Sequence, residues 1–393
     1  MPARFLAFLL VCTLSAACGR GPAPAAEPPI FPVKKKWVAF LPPDEEIVAP
    51  LASDAGRLFL ATGKAVRGLD RSLGTTLWAR TGVSGILSAA PGVLVVRAES
   101  GRVTSLDPAT GATRWSTETG ATGALQTMIE GARVYVTGSR YTVLDTASGK
   151  LLADLPLESA AVTRPVRWDE CLLVGHADAT LRCLEADTGN AAWSFALSKP
   201  LEAAPAVDGD RVFVGTGTSD RRALGFKGGR KLDWTFDLGA GVSVPPAAAA
   251  RYTLVASNEA VLYAFLRRNG HMTWRAPLPS RPLGPPIVVG AQALVACLPD
   301  ELLAFQLDTG KGAGSTRVGV EHLGTDARPS EIRTPPLYVE RTIYVGLRNT
   351  GVGTLNPWAV VALEPGPAPK APEPPAPFDA DPAEDVAKPS PIP

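Results

Sequence analysis

The 393-residue chain carries almost no excess charge of either sign: 39 Lys and Arg stand against 38 Asp and Glu, a formal net charge of +1. Without a strong positive field there is no electrostatic basis for a nucleic-acid partner, and none is expected. Histidine is scarce. His176, His271 and His322 lie far apart, show no ligand spacing, and are read as solvated loop residues, so no metal site is expected. The five cysteines (12, 18, 171, 183 and 297) include no adjacent pair. Beyond residue 18 no apolar run is long enough for a transmembrane helix, and no long stretch repeats at a helical period, which excludes an α/β arrangement. Lys227-Gly228-Gly229 lacks the strand–loop–helix setting of a phosphate cradle, and no nucleophile elbow or catalytic triad is evident.

Proline is present but unevenly spread. Residues 1–36 and 364–393 hold 17 of the 38 prolines, which sets both ends apart from a compact middle. Residues 1–17 combine a basic Arg4, an apolar stretch from Phe5 to Leu14 and the small residues Ser15-Ala16-Ala17, the layout of a secretory signal. With Cys18 next, the segment resembles a bacterial lipoprotein signal, in which that cysteine is acylated. Leu14 stands four residues before Cys18 where three is usual, and the alternative is an ordinary signal followed by a chance cysteine. An acylated Cys18 would tie the protein to a membrane. Gly19 replaces the Asp that favours inner-membrane retention in such lipoproteins, which implies the outer membrane and a periplasm-facing domain. Residues 18–36 read as a Pro/Ala-rich tether, and 367–393 as a disordered Pro-rich tail.

The middle, residues 37–366, is one unit written repeatedly. Leu106-Asp107-Pro108-Ala109-Thr110-Gly111-Ala112-Thr113-Arg114-Trp115 serves as the template. Gly74, Gly111, Gly149, Gly189, Gly229, Gly270 and Gly310 recur every 37 to 41 residues. Trp78, Trp115, Trp193, Trp234 and Trp274 follow their glycines, while Ala153 and Gly314 stand where two further tryptophans belong. Each unit contains four short β-branched or alternating runs separated by Gly/Asp/Asn turns, which describes a propeller blade. The last unit, ending in Trp358–Gly366, lacks its post-glycine strand, and Lys36–Pro42 looks like that strand orphaned at the other end. The expected fold is therefore all-β: an eight-bladed β-propeller of four-stranded antiparallel blades, closed by an N-terminal strand around Trp37 pairing beside Val360. The recurring Trp and Gly residues, with Trp37 among them, are read as structural anchors of the blades: indoles packed between neighbours, and glycines supplying positive φ.

The Leu-Asp-x-x-Thr-Gly-x-x-x-Trp pattern resembles the repeat of pyrroloquinoline-quinone (PQQ) dehydrogenases and their non-enzymatic relatives. Together with the lipoprotein-like start and eight units, the chain most resembles the BamB family of outer-membrane lipoproteins. That resemblance implies a non-catalytic scaffold, a monomer within a larger complex, whose protein partner is the β-barrel assembly machinery, with no cofactor. No loop matches a family motif for partner contact. A quinoprotein oxidoreductase is the alternative, but it requires a Ca²⁺ ligand set and an Asp base. Asp107, Asp145 and Asp308 instead occupy turn positions and are read as turn acceptors. A third reading is a propeller lipoprotein with another envelope partner, such as peptidoglycan, polysaccharide or a secretion complex.

Two local features complete the reading. Folding the hairpin around Ala177–Ala179 sets Cys183 opposite Leu173 or Val174, leaving Cys171 two or three residues off register. That argues against a bridge and for two small buried thiols. The final unit is overlong, with excess in 318–334 and 349–357, so these stretches are either a partner surface or plain solvent loops.

Overall fold

The structure, a computed structural model, describes residues 27–98, 100–123, 125–228, 231–323, 330–350 and 356–367. Cys18, the signal-like segment, the tail beyond 367 and Gly229 lie outside them. The described chain is almost entirely strand, ordered as eight antiparallel sheets that follow one another along the sequence. Blades 1 to 7 occupy residues 52–81, 86–118, 126–156, 166–196, 206–237, 247–277 and 287–317, each four strands in simple sequential order. Blade 8 comprises residues 330–365 and takes its outermost strand, Val33–Phe40, from the other end of the chain. Trp37 lies opposite Ala362, Val38 opposite Val361 and Ala39 opposite Val360, so the ring closes as the repeats demand.

Blade 8 departs from four strands. Its inner strand is broken into Ser330–Ile332 and Leu337–Val339, which pair with opposite ends of Thr342–Asn349. The surplus length of this unit is thus partly structural: Val318–His322 forms a five-residue helix, and Val318 and Leu323 join the apolar cluster between blades 7 and 8. Residues 324–329 and 351–355 lie outside the described set.

The packing explains why the second and third strands of each blade read as continuous apolar runs. Alternate residues face opposite blades, so both faces are buried. Leu58 and Leu60 enter the cluster shared with blade 8, while Phe59 and Ala61 enter the cluster shared with blade 2. Eight such clusters, one per junction, make up the core. The outermost strands carry one inner face only; Thr76–Thr81 is largely exposed.

The reading of the tether changes at its C-terminal end. The first strand starts at Val33, and Ile30 and Phe31 are buried in the blade 7–8 cluster, with both backbone N–H groups donating to Gln292 Oε1 at 2.9 and 3.1 Å. Apolar Ile-Phe within a Pro/Ala-rich segment is what makes docking favourable there.

The cysteine pair also corrects the reading. Cys183 does sit opposite Leu173, yet Cys171 and Cys183 form a disulfide, with Cα atoms 5.5 Å apart. In a flat hairpin the two-residue offset would hold these sulfurs apart. Both side chains point into the cluster between blades 4 and 5, and strand twist draws this diagonal pair into bridging range. Cys297 is buried and free, its thiol pushed up to about 12 by burial.

Candidate partner-binding surface

Five of the blade junctions are built from the repeat's two marker residues. In blades 1 to 7 the pairing of the third and fourth strands slips by one residue next to the tryptophan position: Gly68 faces Trp78, but Leu69 faces Thr76, leaving Leu77 bulged. The same slip accompanies Trp115, Trp193, Trp234 and Trp274. Such a bulge re-aims the side chain that follows it. The indole then reaches the next blade and covers its glycine. Gly270, at φ +68°, would place a Cβ 2.4 Å from the Trp234 ring, so both the conformation and the space exclude a side chain. Trp37 lies over Gly74, Trp78 over Gly111, Trp115 over Gly149 and Trp274 over Gly310 in the same way. Among the described residues, five of the repeat-position indoles donate Nε1–H to a backbone carbonyl of the next blade: Trp37 to Arg71, Trp78 to Pro108, Trp115 to Thr146, Trp234 to Arg267 and Trp274 to Leu307, all at 2.9–3.1 Å. Trp193, whose glycine counterpart Gly229 lies outside the described residues, meets Trp168 edge-on, at 6.1 Å between centroids.

The two units without tryptophan are completed by aromatics that the repeat pattern does not mark. In blade 3, where Ala153 stands, Tyr141 from the neighbouring strand covers Gly189 and donates its hydroxyl to Ala186 O at 2.7 Å. Burial pushes its phenol well above the usual range. At Gly314 of blade 7, Phe31 fills the space, its ring 2.9 Å from where a Cβ would be. The signal for both was the gap itself, since a junction missing its indole must find another ring.

Turn acids behave as read at Asp107 and Asp145, which accept backbone N–H bonds from Ala109 and Thr110, and from Ser148. The Arg114 hydrogen bond and these turn contacts hold Asp107 down at about 2. Asp308 does not share the role; Gln306 stands at the acceptor position of its turn and receives the Thr309 hydroxyl at 2.9 Å. Two histidines overturn the solvated-loop reading. His176 is fully buried with Nδ1 2.7 Å from Ser159 O, and His322 is buried with Nε2 2.8 Å from Thr316 Oγ1. Burial lowers the pKa of both. His271 is exposed.

Two surfaces remain open to partners. Along the axis, a cleft of about 380 Å³ is lined by Ser53, Ser88, Thr127, Arg97 and Arg164 from the inner strands and their connections. Guanidiniums and hydroxyls are not the carboxylate set that Ca²⁺ beside a quinone requires. Among the described residues no three His, Cys, Asp or Glu side chains converge on a common point. On the outer rim, the edge strands expose the large apolar side chains Phe40 (51%), Leu77 (49%), Leu151 (47%) and Leu152 (51%), and the turn leading into Thr76–Thr81 adds Leu73 (66%). Leu77 and Leu152 are the residues thrown outward by the blade bulges. Among the described residues no helix is long and apolar enough to cross a membrane.

Eight sequential antiparallel sheets in a ring, five of whose junctions carry an indole over a glycine, define a propeller of the PQQ-repeat class. A profile of that class, described as outer membrane protein assembly factor BamB, matches residues 62–162, 142–237 and 222–358, and the chain belongs to this family. Among solved structures it is similar to BamB from Moraxella catarrhalis, at 18% identity over 84% of this chain and 97% of that one, with a TM-score of 0.66. It is equally similar to the computationally designed Ika8 protein, at 16% identity, 84% and 99% coverage, and a TM-score of 0.67. Quinohemoprotein alcohol dehydrogenase ADHIIG from Pseudomonas putida HK5 follows at 15% identity, 88% and 79% coverage, and a TM-score of 0.62. At these identities the three establish the fold alone. No curated protein matches the chain well enough to serve as a relative.

Proposed function

We propose that the protein is a non-catalytic scaffold of the bacterial envelope, held through an acylated Cys18 to the periplasmic side of the outer membrane, where it assists β-barrel assembly. The observation that carries this reading is the family match running from residue 62 to 358, almost the whole ring. The lipoprotein-like Ser15-Ala16-Ala17-Cys18 supports the anchor, and the exposed leucines of the edge strands supply contact area for a protein partner. Each outer strand also leaves one backbone edge free to accept a strand from a partner.

Affinity purification from detergent-solubilised membranes is the test, with labelling by a fatty-acid analogue in parallel. Barrel-assembly subunits should co-purify, and labelling should vanish in Cys18→Ser. Replacing Leu73 and Leu77 together by Asp should lower recovery of the partner while leaving the β-sheet circular dichroism unchanged. Absence of those subunits, with another envelope component in their place, would overturn the assembly role. The likeness to a quinohemoprotein dehydrogenase favours one second reading, a quinoprotein oxidoreductase. Stoichiometric binding of PQQ with Ca²⁺, and dye-linked alcohol oxidation, would establish it against the lining of the axial cleft described above.

A further inference from the structure

Because the blades repeat, equivalent clefts at different junctions can be compared residue by residue, and two of them differ sharply in charge. Both lie on the face that carries the turns between the first and second strands and between the third and fourth. At the junction of blades 3 and 4 a cleft of about 530 Å³ is lined by Glu130, Glu170, Glu185 and Asp187 against Arg133 and Arg167. At the junction of blades 5 and 6 the equivalent cleft, of about 400 Å³, is lined by Arg211, Arg251, Leu266, Arg267 and Arg268. In the repeat register Arg251 takes the place of Glu170, Leu266 that of Glu185 and Arg268 that of Asp187.

This reversal works against the local turn. Asp70, Asp107 and Asp145 hold their turns by accepting backbone N–H bonds, and Leu266 at the same position cannot. The guanidiniums are nevertheless held in place. Arg267 O receives both the Trp234 indole and Arg211 Nη1, each at 3.1 Å. Arg211 also pairs with Asp233 at 2.7 Å, and the Arg267 side chain pairs with Asp208. Arg251 lies 5.1 Å over the Tyr252 ring and donates to its hydroxyl at 2.8 Å. Among the described residues four guanidiniums thus meet two carboxylates, and the exposed pair, Arg251 and Arg268, carries the surplus of two positive charges.

The geometry points to a binding site for a phosphate group between blades 5 and 6, recognised by Arg251 and Arg268 and supported by the ordered Arg211 and Arg267. Planar guanidinium forks match phosphate oxygens in pairs, and two uncompensated charges match a dianion. The group can arrive as free phosphate or on the headgroup of an anionic lipid; the chemistry of recognition is common to both.

Titration calorimetry with inorganic phosphate at low ionic strength tests the site, alongside co-sedimentation with vesicles of phosphatidylcholine with and without phosphatidylglycerol. The wild type should bind phosphate saturably, and Arg251→Ala/Arg268→Ala should weaken it by at least about tenfold. Glu170→Gln/Asp187→Asn, in the equivalent acidic cleft, should leave phosphate binding unchanged. Circular dichroism of both variants verifies that the ring remains folded. Retention on phosphatidylglycerol vesicles that disappears in the arginine variant assigns the site to lipid headgroups, and phosphate binding without vesicle retention assigns it to soluble phosphate. Absence of saturable binding in both arms, or equal binding by the arginine variant, overturns the proposal.

Discussion

Trp274 condenses what a single side chain does at a blade junction: it buries an indole on Gly310 and spends its N–H on Leu307 O, 33 residues away. Trp274→Ala should therefore cost about 3–5 kcal/mol in urea denaturation, combining lost burial with a cavity. Tyr141→Phe, which keeps the ring on Gly189 and deletes only the bond to Ala186 O, should cost about 1 kcal/mol. The buried imidazoles make a pH prediction at the same scale. Burial holds His176 and His322 below their ordinary value of 6.5. Between 6.5 and those lowered values the unfolded chain binds more protons than the folded one, so stability present above 6.5 is lost as pH falls through that window. The melting temperature should drop from pH 7.5 to 5.5, and less steeply in His322→Gln; an unchanged slope would remove this imidazole from the account. The carboxylates do not confuse the test, because the shifted ones, such as Asp107 and Glu45, are lowered from ordinary values of 3.8 and 4.5, already below pH 5.5.

At the scale of elements, the segment before the first strand behaves as part of blade 7. Phe31 occupies the space at Gly314, and Ile30 is wholly buried. Phe31→Ala should destabilise the protein by about 3 kcal/mol in urea denaturation, and Phe31→Leu, which keeps most of the apolar volume, by about 1 kcal/mol. Equal effects from the two changes would refute this assignment. The blades themselves were legible in the sequence because each is local: a turn glycine, a tryptophan and β-branched runs within about forty residues. What was not legible depends on contacts between blades or on twist. Neither the filling of gaps at Ala153 and Gly314 by Tyr141 and Phe31 nor the bridging of Cys171 to Cys183 across a diagonal follows from spacing along the chain. His176 was misread for the same reason, since its own turn looks exposed and only its packing buries it. Of the candidate surfaces, the edge-strand leucines could not be found from the pattern alone, because the bulges that turn Leu77 and Leu152 outward are a property of strand pairing.

At the scale of the molecule, everything depends on closing a circle whose ends are more than 300 residues apart. The entropy of joining them is on the order of 5 kcal/mol, against roughly 3 for a forty-residue blade, a modest difference that the two flanking apolar clusters readily offset. Deleting residues 27–40 should therefore do more than remove one strand. It exposes Val360 and its neighbours and opens the 8–1 junction, so amide exchange should rise in blades 8 and 1 before blades 4 and 5, as measured by mass spectrometry. Uniform exchange across all blades would contradict this order.

The pairing of Val33–Phe40 with Trp358–Pro365 also imposes an order of events in synthesis. The first strand to leave the ribosome is matched only by the last, so a chain cut short anywhere before residue 358 presents an unmatched strand at its leading end. An incomplete copy leaves the pairing edge of Val33–Phe40 bare, and only a chain extended through residue 365 covers it.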